Sequence, residues 1–174
     1  MNKNICDIGD KSSVLGQLFH PDVVINQNTF MGKVHSISSL IHYLTHSNVG
    51  IEIVSKPISS KRLERAEKRK FGSVPNYWAI IAKVVFDYVK RNEHVQEVLK
   101  QTNDNKILFI ETIYDGDKVS LQYIKNDMKK YTNIITQARK FCLDGSINNE
   151  ETLASAVKKY QETDSLFEGL KDIL

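Results

Sequence analysis

Two β-forming runs joined by Asp115-Gly116 constrain this chain more than any other feature. "KILFIETIY" (106–114) and "KVSLQYI" (118–124) flank the dipeptide. A two-residue type I′ turn needs positive φ at both central positions, and Asp-Gly supplies it. With those two residues as the loop, Tyr114 is expected to pair with Asp117, Thr112 with Val119 and Ile110 with Leu121. Leu108, Ile110, Val119, Leu121 and Tyr123 then share an apolar face. Glu111 falls on the other face with Ile107, Phe109 and Ile113, opposite Ser120 and diagonal to Lys118.

Helical periodicity accounts for most of the remainder. Tyr77, Ile80, Ile81, Val84, Val85, Tyr88 and Val89 recur at i, i+3, i+4 and i+7 spacing after Pro75, which suits a first helical turn. Trp78, Lys83 and Lys90 lie off that stripe or at its border. "RNE" (91–93) breaks or bends the helix before a short continuation through Val95, Val98 and Leu99. "SISSLIHYLTH" (36–46) reads as a helix with a serine N-cap, between the β-branched runs "DVVIN" (22–26) and "GIEIVS" (50–55). Met128, Tyr131, Ile134, Ile135, Ala138 and Phe141 mark another helix. Leu153, Val157, Tyr160, Phe167, Leu170 and Leu174 mark a last one, with acidic residues at its start. The expectation is a helix-rich α+β single domain over residues 1–174, around a small, mainly antiparallel sheet. Residues 145–174 form a C-terminal helical extension packed on that same domain.

Composition narrows the function classes. With 174 residues, 41% apolar and 26% charged, the chain reads as an ordinary soluble globular protein. Its longest apolar runs, such as "WAIIAKVVF", fall short of the ~20 residues that span a bilayer. The start lacks the basic-then-apolar pattern of a secretory signal. Cys6 and Cys142 are far apart and form no CxxC pair, which points to a reducing cytoplasm and not to a disulfide framework or zinc knuckle. The net charge of +3 is local. "KRLERAEKRK" (61–70) sets six Lys or Arg against two Glu, which leaves the rest of the chain near neutral. That run is either a solvated helix face or a patch for phosphate groups or nucleic acid. No interleaved aromatics suggest sequence-specific nucleic-acid readout.

The acidic residues admit two readings. Asp115 and Asp117 serve a hairpin turn or line a catalytic site. Glu111, among large apolar neighbours, is expected to be desolvated, its pKa raised and poised for proton transfer, unless Ser120 and Lys118 satisfy it. His42 and His46 have i, i+4 metal-ligand spacing, but no Glu between them as in HExxH and no obvious third ligand, so no metal is expected.

The order of features from 78 to 111 resembles the YbiA-like (NADAR) family. Trp78, Lys83, "VK" at 89–90, Asn92, Leu99, "QTND" and the strand ending at Glu111 are similar to that family's helical tryptophan, lysine, "KF-x-x-N", "LL-x-T-G-D" and "VE". "FMGKVHSISSLIHYL" is similar to its "G…S-x-E-H-Y" segment, with His42 and Tyr43 in register. The likeness covers residues 30–140 and is nearer to divergent phage-encoded members than to the enzyme branch. It implies an N-glycosidase fold that handles ribosyl phosphates or ADP-ribose. In the enzyme branch the N-glycosidic bond of phosphoribosylated pyrimidine intermediates is cleaved, without metal or redox cofactor.

On this resemblance Trp78 stacks on the ligand, and Glu111 with Asp115 or Asp117 supplies the catalytic carboxylates. Lys61, Arg62, Arg65, Arg69 and Lys90 then meet phosphate oxygens. The chain departs from the pattern at the "E-H-Y" glutamate, which is Ile41. "DGDKVSLQ" replaces "D-x-x-W-G", with Val119 near the tryptophan position, and of the segment before the last core helix only Arg139 is retained. Isoleucine cannot transfer a proton. The resemblance therefore implies either a degenerate site that still binds a ribosyl-phosphate or ADP-ribose-type ligand, or an enzyme with relocated carboxylates. The other expectation is a small interaction protein, of the kind phages use on host proteins, acting through a basic or amphipathic helix.

Overall fold

Helix α3 (Tyr77–Lys90) is buried on nearly every side, as befits a helix apolar all round. Trp78, Ala79, Ile81, Ala82, Val84, Val85, Phe86 and Val89 are all in the core, and Lys83 is its one exposed residue. The sequence stripe is thus wider than expected, and Trp78 belongs to it. The computed structural model describes residues 4–20, 23–29, 32–45, 55 and 76–171. Among these the fold is mixed α+β and helix-rich, with six α-helices and three two-stranded ladders in place of one sheet. The chain divides into two compact units, Met1–His20 with Val89–Asn148, and Pro21–Tyr88 with Asn149–Leu174.

In the first unit β1 (Ile5–Asp7) pairs in parallel with β4 (Lys106–Leu108), an element pair the sequence did not reveal. Asp7 ends β1 and organises the turn into the first helix. Its Oδ1 accepts the Gly9 N–H at 2.7 Å and the Asp10 N–H at 3.1 Å, and the residue is 3% exposed. Ser13 then caps α1 (Val14–Phe19), accepting the Gly16 N–H at 2.8 Å, while its hydroxyl lies against the Asp7 and Asp10 carbonyls. Gly9 is required by close approach: a Cβ there would sit 1.2 Å from the Ile110 carbonyl oxygen. "RNE" does end α3, and a separate helix α4 (Glu93–Gln101) begins after Asn92. It buries Val95, Val98 and Leu99 and packs on α5 (Lys129–Leu143), whose buried residues are close to those expected. Arg139 of α5 donates to the Asn105 carbonyl at 2.7 Å and to Thr102 Oγ1 at 3.1 Å, tying the loop after α4 to α5. Tyr131 donates its buried hydroxyl to the Phe19 carbonyl at 2.7 Å.

In the second unit β2 (Val24–Thr29) and β3 (Gly32–Ser36) form a hairpin with a register irregularity near Asn26, whose φ is +41°. β3 runs directly into α2 (Ile37–Thr45). Ser36 Oγ accepts the Ser39 N–H at 3.0 Å, the capping expected of this serine. Val34, Ile37, Leu40 and Leu44 enter this unit's core. The last helix, α6 (Glu150–Lys171), is capped by Asn149 and buries Leu153 and Ala156. Of "GIEIVS" only Ser55 is described, and Pro75 also lies outside the described residues.

The hairpin of β5 (Ile110–Asp115) and β6 (Lys118–Ile124) belongs to the first unit, but not in the expected register. Its loop is Gly116-Asp117, with Asp115 opposite Lys118. Only Gly116 has positive φ (+59°), the pattern of a type II′ turn with glycine in first place, not the type I′ that Asp-Gly suggests. A bulge then offsets the strands, so Ile113 faces Leu121 and Glu111 faces Tyr123.

Gly9→Ala is expected to cost about 3 kcal/mol, the upper end for overpacking against rigid backbone. Gly116→Ala, which meets only unfavourable φ, should cost about 1 kcal/mol. Urea unfolding of both variants tests this ranking, and equal costs would contradict the close approach.

Candidate functional site

Phe109 separates β4 from β5 and pins the base of the hairpin. Its ring meets Tyr131 edge-on, with centroids 6.2 Å apart. Its N–H donates to Thr132 Oγ1 at 3.2 Å, and its carbonyl accepts the Lys125 N–H at 3.0 Å. Beyond this anchor the strands run out into solvent, and every residue of β6 is exposed.

Glu111 sits one residue past the base. Tyr123, directly across the ladder, donates its hydroxyl to Glu111 Oε2 at 2.6 Å. Lys125 Nζ reaches the same oxygen at 3.1 Å. The carboxylate side chain is 41% exposed. First the Tyr123 hydrogen bond and then Lys125 hold its pKa below the ordinary glutamate value. This reverses the expected shift. Two stabilising donors and open water outweigh the apolar neighbours, because the break at Phe109 and the shifted register remove the desolvating face. Chemically, Glu111 is a settled anion that accepts hydrogen bonds and is a poor proton donor at neutral pH.

The other expected site residues belong to different units or lie outside the described residues. Asp115 and Asp117 are exposed at the hairpin tip. Asp115 and Glu111 share one face of β5, two cross-strand pairs apart. Trp78 belongs to the second unit, is 7% exposed and meets Tyr77 edge-on at 5.0 Å, so it is a core residue with little face to offer a ligand. Lys90 is half-buried, and its carbonyl accepts the Gln96 side-chain amide at 3.0 Å. Lys61, Arg62, Arg65 and Arg69, and with them the whole basic run, lie outside the described residues, as do His46 and the His42 side chain. Ile41 is half-buried on α2.

Sequence reasoning missed Tyr123 and Lys125 as partners of Glu111. The displaced turn alone would set Gln122 opposite Glu111; only the bulge at Ser120, which no turn signal announces, brings both onto the Glu111 face once Leu121 meets Ile113. It also missed Asp7, whose second oxygen accepts the Gln122 amide at 3.4 Å and so ties the hairpin to the β1 turn. Burial pushes the Asp7 pKa up, against the pull of the Gly9 and Asp10 N–H groups. Cys6 and Cys142 are free, and burial pushes the Cys142 thiol up to about 11, which leaves it unreactive. Among the described residues no three His, Cys, Asp or Glu side chains converge as a metal site would require. No described helix is long and apolar enough to cross a membrane. Compared with known proteins, the chain matches no family model, no curated sequence and no solved structure.

Because the folded pKa of Glu111 is depressed, its contribution to stability is present above the unfolded glutamate pKa and is lost as pH falls through the folded one. Tyr123→Phe removes the larger cause and should raise the Glu111 pKa toward its ordinary value. Carboxyl-carbon NMR titration reads this directly, and an unchanged midpoint would contradict the assigned hydrogen bond.

Proposed function

We propose that this chain works by binding, with the β5–β6 hairpin as its contact surface, and not as a hydrolase. One observation carries the reading. Ile113, Tyr114, Val119, Leu121, Tyr123 and Ile124 are each 41–59% exposed on a single two-stranded ribbon. Large apolar side chains gathered in this way mark interaction sites, whereas singly scattered ones do not. A two-stranded ribbon is also marginal by itself in water and gains from a covering surface. A protein partner suits both properties. The contact differs from the basic or amphipathic helix expected from sequence: among the described residues most of the exposed large apolar side chains are gathered on these two strands, while the basic run lies outside the described residues.

A photoreactive benzoylphenylalanine at Leu121 should form protein adducts, and one at the exposed His94 of α4 should not. Equal adduct yields from the two positions would dispose of the reading.

A second reading retains a small ligand. The ionised Glu111, fixed by Tyr123 and Lys125, is suited to accept hydrogen bonds from vicinal ribose hydroxyls. The ligand is then the ribosyl-phosphate or ADP-ribose-type molecule that the resemblance implies, bound without proton transfer from this carboxyl. ADP-ribose at 100 times its Kd should add about 2.7 kcal/mol of stability. That gain should be absent in Glu111→Ala. A melting temperature unmoved by ADP-ribose, NAD and ribose 5-phosphate would remove this second reading, and base release abolished by Glu111→Gln would restore catalysis.

A further inference from the structure

We propose that the partner offers a basic, extended peptide segment, which adds as a third strand along the open margin of β5; this rests on the reading of the hairpin as the contact surface. The Lys125 N–H donates to the Phe109 carbonyl, so Ile110 and Ile124 are opposed without hydrogen bonds to each other. By the alternation of an antiparallel ladder, the backbone groups of Glu111 and Ile113 then face β6. Those of Thr112 and Tyr114 face the opposite way. Among the described residues β6 is the one strand paired with β5, and no backbone bond from another element reaches Thr112 or Tyr114. Toward the base the margin is closed, since Ile110 is buried and Gly9 lies against its carbonyl. The N–H and C=O groups of Thr112 and Tyr114 therefore stand open for a short strand laid along 111–115. The margin of β6 suits this less, because the extra residue Ser120 interrupts its spacing.

Side chains decide what can be seated. Glu111, Ile113 and Asp115 share one face of β5. Toward an added strand they occupy the non-hydrogen-bonded positions, where opposed Cα atoms are ~4.5 Å apart and side chains meet most closely. Glu111 receives Tyr123 and Lys125 on Oε2, which leaves Oε1 for a further donor. Asp115 is exposed at the tip. Lys118 and Lys125 belong to the β6 side, one strand further off, so the β5 margin is the acidic one. Opposite charges across a ladder stabilise it and like charges oppose it. The order acidic, apolar, acidic thus calls for Lys or Arg, an apolar residue, and Lys or Arg at alternate positions. The two residues between them oppose Tyr114 and Thr112 and suit β-branched side chains. A third strand also gives the ribbon the support that two strands lack. A second copy of the chain does not meet this order. Antiparallel pairing of β5 with β5 centred on Ile113 sets Glu111 against Asp115 twice, and centring on Thr112 or Tyr114 sets Ile113 against a carboxylate.

A short peptide centred on Lys-Thr-Ile-Thr-Lys tests the proposal on the full chain. It should shift the amide NMR signals of Thr112 and Tyr114 most, and added salt should weaken it. Exchanging its lysines for glutamates should weaken binding roughly fivefold per residue. Methylating the backbone nitrogens of its two threonines should abolish binding, whereas methylating that of its isoleucine should not, because only the former point at β5. Asp115→Lys should prefer Glu-Thr-Ile-Thr-Lys, whose glutamate lies opposite 115 in an antiparallel pairing. Thr112→Pro removes an open N–H without touching the β6 ladder and should block binding; the methylated peptides decide the point if that variant does not fold. No shift with millimolar peptide, equal binding of the acidic peptide, or indifference to threonine methylation would overturn the proposal. Photocrosslinking from position 121 keeps this failure distinct from that of the underlying reading. Protein adducts there, with the peptide unbound, overturn the third strand while the contact surface stands. Adducts solely of twice the chain's mass, in purified protein, make a second copy the occupant and overturn it likewise. Neither adducts nor peptide binding would overturn both.

Discussion

A buried carboxylate at the end of a three-residue strand holds the first unit in order. Asp7 closes the 7–10 turn through two backbone N–H groups, and this turn places Ser13 to start α1 and brings Gly9 against the Ile110 backbone. From its other oxygen it holds Gln122. The hairpin, the parallel β1–β4 pair and the first helix thus share one residue. Burying a charge is costly unless it is paired or hydrogen-bonded, and here most of the donors are backbone groups fixed by the turn itself. That choice also fixes where the ribbon leaves the core: Gly9 admits Ile110 only because no side chain intervenes.

Much of the helical framework was readable from periodicity. The 77–90, 93–101 and 129–143 helices follow their apolar spacing, and the serine cap before α2 and the Asn–Glu–Glu start of α6 lie where helix ends favour them. Two things were not legible. The parallel pairing of β1 with β4 joins residues 5–7 to 106–108, and no local pattern in so short a strand announces so distant a partner. The hairpin register turned on the choice of loop and on one bulged residue. Asp115-Gly116 and Gly116-Asp117 are both acceptable loops, and the choice between them moves every cross-strand pair. That shift together with the bulge at Ser120 put Tyr123 opposite Glu111, and with it changed the carboxylate from a desolvated acid into a stabilised anion.

The resemblance to the YbiA-like family rests on residues that this structure distributes differently from one another. Trp78 is held in the core of its unit, Glu111 is exposed on a ribbon and Ile41 stands where a carboxylate would be needed. A proton donor and a stacking ring are the two elements of glycosidic chemistry that such a site would have to supply. Here the carboxylate is held as an anion by Tyr123 and Lys125, and the ring is packed in the core of its unit.

The bulge opposite the Ile113–Tyr114 step has an effect beyond register. A ribbon with two long free margins and abundant Ile, Val, Leu and Tyr would ordinarily invite further strands to add end over end, as in fibres. By kinking β6 after Val119, the extra residue spoils the even spacing of N–H and C=O groups along that margin. Growth by strand addition is blunted there, while the flat of the ribbon stays open. A single inserted residue therefore makes one margin of this exposed ribbon a poorer template for strand addition.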